Sequence, residues 1–188
     1  MALRLVVADD NFLVREGLSA LLAEVEEIEV VAMATDTLSL ISAVQETSPD
    51  AVLTDIRMPP SFTDEGIKAA KRIRAEHPDV GVVVLSQYVE EDYAFELLVD
   101  GVTGLGYLLK ERVSDVDELV RALREVSRGG SVLDPKVVAA EDYGCKFTNQ
   151  TYTADEMTAA AAAAMAMPPT TTVIAARANS GAKPCPPK

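Results

Sequence analysis

Residues 52–59 read Val52-Leu53-Thr54-Asp55-Ile56-Arg57-Met58-Pro59. It opens on a short apolar run, too short for a helix, that delivers one carboxylate, Asp55, to a loop and then turns at Pro59. Such a run is the pattern of a strand covered on both faces. Two more stretches follow the same plan: Leu3-Arg4-Leu5-Val6-Val7-Ala8 ends at Asp9-Asp10, and Leu105-Gly106-Tyr107-Leu108-Leu109 ends at Lys110. Parallel sheets build their sites from polar residues delivered at the C-terminal ends of such strands.

Outward from these runs the pattern alternates. Strands are predicted over 3–8, 29–34, 51–55, 80–86 and 105–109. Apolar residues recur at helical spacing over 13–25, 37–47, 64–76, 90–99 and 114–127, with Ser114 as the cap of the last helix and Gly129-Gly130 as its stop. Apolar strands joined through helices predict an α/β fold: a doubly wound, five-stranded parallel sheet of flavodoxin-like type. Strand order 2-1-3-4-5 is adopted because it brings the acids together. Residues 1–130 then form one domain and 131–140 a connector. Residues 141–188 form an atypical tail, an alanine-rich helix over 157–167 with the remainder expected to be disordered.

The chain of 188 residues has 17 Lys and Arg against 30 Asp and Glu, a formal net charge of −13. Residues 141–188 hold four of each sign, so all of the excess lies in 1–140. Neither part carries the basic footprint that phosphate-backbone binding needs. The longest late apolar run, 159–167, has nine residues, against the roughly 20 that span a bilayer. Cys145 and Cys185 have neither metal-ligand spacing nor the look of a disulfide framework. A soluble, cytoplasmic protein without membrane contact is expected.

Carboxylates held within a few ångströms repel each other, and a hard divalent cation with oxygen ligands relieves that repulsion. Mg²⁺ fits, since it accepts one or two carboxylates and keeps several waters. A carboxylate can then attack a phosphoryl group and form an acyl phosphate. An ammonium group such as that of Lys110 neutralises charge on the transferring oxygens, and Ser86 can donate a hydrogen bond to them.

Together these residues resemble the receiver domain of bacterial two-component response regulators. The motifs are Asp9-Asp10, Asp55 in Asp-Ile-Arg-Met-Pro, Ser86 in Val-Val-Leu-Ser-Gln-Tyr, and Tyr107 with Lys110 in Gly-Tyr-Leu-Leu-Lys. Residues 9–18 and 106–110 resemble the NarL/LuxR-type subfamily in particular, and the likeness covers roughly residues 3–140. It implies that Asp55 accepts a phosphoryl group from a histidine kinase. Asp10, Asp55 and the backbone carbonyl of Arg57 would ligate Mg²⁺ directly, with Asp9 acting partly through water. Lys110 would pair with the phosphoryl group, Ser86 would move toward it, and Tyr107 would swing inward. Arg57 and Tyr88 would tune the lifetime of the adduct. The implied protein is no conventional enzyme but a self-phosphorylating switch that regulates transcription or a partner protein, as a homodimer once phosphorylated.

The sequence departs from that pattern in places. Asn11-Phe12 replaces a His-Pro-like pair, Gln87 is larger than the usual small residue, and Glu111 stands where many receivers have proline. The tail shows no helix-turn-helix where such regulators continue into a DNA-binding domain; it is either a natural replacement or the product of a shifted reading frame. Two other output readings stay open: DNA recognition by the C-terminal region, and an interaction module that is never phosphorylated. An aspartate-nucleophile phosphatase would need an acid at position 57, where Arg57 stands. His77, the Glu24–Glu29 acids and Glu90-Glu91-Asp92 read as solvated surface, and Gly101–Gly106 precedes a strand instead of opening a helix, which excludes a dinucleotide loop.

Overall fold

The computed structural model describes residues 2–98 and 101–138. The apolar runs become β1 (Leu3–Ala8), β2 (Ile28–Ala34), β3 (Ala51–Asp55), β4 (Gly81–Ser86) and β5 (Leu105–Leu109), with a short β6 (Val132–Leu133). They form one parallel sheet in the order β2-β1-β3-β4-β5-β6. The connections are α1 (Phe12–Ala23), α2 (Thr37–Thr47), α3 (Glu65–Glu76), α4 (Glu91–Leu98) and α5 (Val116–Ser127), and a last turn, α6 (Pro135–Val138), follows β6. A 3₁₀ turn over Lys110–Ser114 links β5 to α5.

Strand side chains alternate between the two faces and feed two cores. Val6, Val52, Val82, Val84 and Tyr107 pack against Leu40, Val44, Ile67, Ile73 and Leu97 of α2, α3 and α4. Leu5, Val7, Leu53, Val83 and Leu85 pack against Leu18, Leu22, Leu119, Leu123 and Val126 of α1 and α5. Both faces of β3 and β4 are therefore dry, which explains their unbroken apolar sequence.

Two local features differ from the sequence expectation. The alternation does not end at the Gly129-Gly130 stop: Val132 and Leu133 pair with Gly106 and Tyr107 as a sixth strand. And Ser114 does not cap α5. It is drawn into the 3₁₀ turn, where its hydroxyl donates to the Glu111 carbonyl at 2.7 Å. Asp115 takes the cap and accepts from the Glu118 N–H at 3.1 Å. No helix among the described residues is long and apolar enough to cross a membrane. The expectations for residues 141–188, including the alanine-rich helix and both cysteines, lie outside the described residues.

Candidate functional site

The strand register gathers the site. Ala8 stands opposite Thr54, so Asp9 comes level with Asp55. Asp55 is opposite Leu85, and Ser86 is opposite Leu109, the residue before Lys110. Three acids, a hydroxyl and an amine thus share the carboxyl edge of four neighbouring strands. A ligand oxygen from each of Asp9, Asp10 and Asp55 lies within 4.8 Å of the others.

Lys110 Nζ donates to Asp9 Oδ2 and to Asp55 Oδ2, both at 2.8 Å. Asp9 is fully buried and Asp55 nearly so, whereas Asp10 faces solvent. Burial pushes the Asp55 carboxyl above its usual range; the hydrogen bond and charge of Lys110 pull it back in part, and Asp9 pushes it up again. Burial alone would lower Lys110, yet its bonds to Asp55 and Asp9 outweigh this and hold it above its ordinary value. Both values are raised, which disfavours the charge on Asp55 and favours it on Lys110. Two carboxylates serve a single ammonium, so the amine is over-satisfied while each acid has a like charge beside it.

Neighbouring residues fix this geometry. Arg15 Nη1 donates to the carbonyls of Asp9 at 2.7 Å and Asp10 at 3.0 Å, which ties the loop after β1 to α1. The Asn11 N–H donates to Asp9 Oδ1 at 2.9 Å. Behind Asp55, the Gly66 N–H donates to the Ile56 carbonyl at 2.8 Å. A Cβ on Gly66 would overlap the Asp55 carbonyl, so only glycine lets α3 approach the acid's backbone this closely.

Ser86 lines the same cleft as Asp55, Arg57 and Lys110. Its hydroxyl donates to the Tyr88 carbonyl at 2.8 Å and contacts Glu90 Oε2 at 3.3 Å. Tyr107 lies inward on β5, wholly buried, and its hydroxyl donates to the Glu90 carbonyl at 3.3 Å. Burial pushes that hydroxyl up to about 12. The Arg57 guanidinium turns across the cleft mouth to the Glu90 carboxylate. Sequence reading passed over Glu90 as one acid of a solvated run, and passed over Arg15 and Gly66 altogether. Glu90 gains its place from Arg57, 33 residues away, whereas Arg15 and Gly66 act on carbonyls within their own strand-to-helix connections.

The model of the response regulator receiver domain matches residues 5–124. The chain belongs to this receiver family. The receiver is 38% identical over 135 residues to the transcriptional regulatory protein DegU of Brevibacillus brevis, covering 72% of this chain and 54% of that protein. It is 34% identical over 158 residues to the oxygen regulatory protein NreC of Staphylococcus epidermidis, covering 84% of this chain and 68% of that protein. The chain thus spans between about half and two thirds of the length of these curated relatives. A solved LuxR-family response regulator from Aurantimonas superposes with a TM-score of 0.63 at 26% identity, over 77% of this chain and 96% of that one. The isolated receiver of RcsB from Salmonella enterica, solved with the phosphomimetic BeF₃⁻, superposes with a TM-score of 0.60 over 73% of this chain and 96% of that one; at 24% identity this shows the shared fold. The receiver is a signalling domain with an acidic triad typical of Mg²⁺-binding receiver sites.

Proposed function

We propose that Asp55 accepts a phosphoryl group from a phosphohistidine of a histidine kinase and holds it as an acyl phosphate. An Asp55 carboxylate oxygen forms the new bond to phosphorus. The phosphorus–nitrogen bond breaks, and the departing imidazole keeps its electron pair and takes a proton. The observation that carries this reading is the Lys110 ammonium, 2.8 Å from Asp55 beside the open cleft, where it can follow the charge onto the transferred oxygens.

The clustered carboxylates of Asp9, Asp10 and Asp55 are a hard oxygen set that fits Mg²⁺, with the Arg57 backbone carbonyl as a further ligand. When bound, the cation neutralises the acids and the charge that develops on the phosphoryl oxygens. Ser86 then donates to a phosphoryl oxygen, which takes its hydroxyl from the loop before α4, the loop that Tyr107, already inward, holds through the Glu90 carbonyl. The result is a two-state surface over α4, β5 and α5 that a local change of charge biases. Its output is regulation of transcription or of a partner protein, through a homodimer formed on phosphorylation. The names of DegU and NreC as regulatory proteins support that output, as does the description of RcsB as dimers bound to DNA.

Intact mass after incubation with acetyl phosphate and Mg²⁺ tests the chemistry, with Asp55→Asn alongside. One added phosphoryl group on the wild type alone is expected. Equal labelling of the variant would remove Asp55 as acceptor. No label on a folded wild type would leave an interaction module that keeps the receiver fold without its switch.

A further inference from the structure

We infer that Glu90 is the resident anion of the phosphoacceptor cleft: its carboxylate occupies the donors a phosphoryl group needs, and phosphorylation displaces it. The inference rests on the phosphoacceptor reading of Asp55 and names the residue that sets the barrier at that site. Four positive or hydrogen-donating side chains line the cleft: Lys110, Arg57, Ser86 and Gln87. Lys110 is held by Asp9 and Asp55. The Arg57 guanidinium and the Ser86 hydroxyl both reach Glu90. An arriving phosphoryl group carries about two negative charges and three acceptor oxygens, and it finds Lys110, Arg57 and Ser86 already engaged.

Of the residents, Glu90 is the one built to leave. Asp9 is fully buried at a strand end and Asp55 is the nucleophile, whereas the Glu90 side chain is 25% exposed on the loop just before α4. Like charge expels it, which frees Arg57 and leaves the Ser86 hydroxyl only its bond to the Tyr88 carbonyl to exchange for a phosphoryl oxygen. Its departure also carries news. The Glu90 backbone carbonyl accepts from the Tyr107 hydroxyl at 3.3 Å and from the Ala94 N–H at 3.2 Å in the first turn of α4. Displacing Glu90 therefore loosens the hold on Tyr107 and on the start of α4 in one movement, which links the charge at Asp55 to the surface behind it.

The test compares wild type, Glu90→Gln and Glu90→Ala in phosphorylation rate, read by intact mass. Acetyl phosphate, a dianion at neutral pH, and phosphoramidate, largely a monoanion, serve as donors at low and high salt. Removing one like charge a few ångströms from the reacting group in a water-facing cleft should speed labelling by acetyl phosphate on the order of fivefold, and labelling by phosphoramidate about twofold. The gain should shrink at high salt. Both variants should show the same order of donors. Rates equal to wild type would overturn the inference, and so would an equal gain with both donors, which would mark a loosened loop and not a displaced charge. A wild type that labels with neither donor would instead remove the phosphoacceptor reading itself, and this inference with it.

Discussion

Asp55 sits in surroundings that oppose its own charge. Burial and the neighbouring Asp9 raise its carboxyl above the ordinary value, and one shared ammonium offsets them only in part. A carboxyl whose pKa is raised on folding favours the fold below its unfolded value of about 3.9, and that contribution is lost as pH rises through the higher folded value. At neutral pH the ionised Asp55 therefore weakens the fold, and Asp55→Asn should strengthen it. The variant forfeits one bond to Lys110, but the amine keeps Asp9 at 2.8 Å. A higher Tm for the variant is expected at pH 7. The gain should narrow as pH falls toward the unfolded carboxyl value of about 3.9 and the wild-type acid takes up its proton. Thermal melts at the two pH values check this; a variant that melts below wild type at pH 7 would mean that the Lys110 contact outweighs the cost of burial. Asp9, Asp55 and Lys110 were legible in the sequence because each closes an apolar run, so position in the chain already implied position at the sheet edge. Glu90 was not, because its partner Arg57 lies 33 residues away and nothing local distinguishes it from the acids that follow.

At the scale of elements, long patterns were legible and short ones were not. The strands and helices through α5 each repeat a period over five or more residues, enough for hydrophobic alternation to fix their type. β6 offers two residues, Val132 and Leu133, both half-buried, directly after a glycine pair. Its place is set by a polar contact instead. Asp134, fully buried, accepts from Arg112 Nε at 3.0 Å, from the Lys136 N–H at 2.9 Å and from the Leu109 N–H at 3.3 Å, while its own N–H donates to the Tyr107 carbonyl at 2.8 Å. One carboxylate thus ties β5, the 3₁₀ turn and α6 together next to Lys110. Burial would raise its pKa, but the Arg112 guanidinium and the backbone donors hold it below the usual carboxylate range. Asp134→Ala leaves those donors unmatched and should cost about 3 kcal/mol by urea melting at pH 7. Arg112→Ala should cost less, because the arginine is 28% exposed and water can replace part of its role. The sign with pH is opposite to that of Asp55: a depressed folded value gives stability that is present above about pH 4 and lost as pH falls through that value. The difference between wild type and Asp134→Ala should therefore shrink in acid; a constant difference would assign the loss to packing alone.

For the whole molecule, this contact bears on where the folding unit ends. Composition changes after residue 140, and the glycine pair at 129–130 looks like a natural stop, so sequence alone sets the domain at 1–130 and treats the next residues as a connector. The charge pattern gives no contrary sign, because the join of β6 to the sheet depends on the backbone of Gly106 and Tyr107 and not on a periodic motif. Yet Val137 is wholly buried in the same core as Tyr107, Leu97 and Leu98. A chain ending at residue 130 loses that side chain, the Asp134 contact and the strand that covers the free edge of β5. Val137 alone is worth about 2 kcal/mol of buried apolar surface. With the Asp134 contact the loss reaches about 5 kcal/mol, set against about 5–15 kcal/mol for a typical domain. A chain ending at 140 should keep all of it. The two shortened chains should therefore unfold at clearly different urea midpoints, the shorter one earlier. Because Tyr107 and Lys110 flank the lost strand, the shorter chain should also take a phosphoryl group from acetyl phosphate more slowly. Coincident midpoints would place the end of the folding unit at α5, and would make β6 and α6 a passive exit from the sheet instead of its last layer.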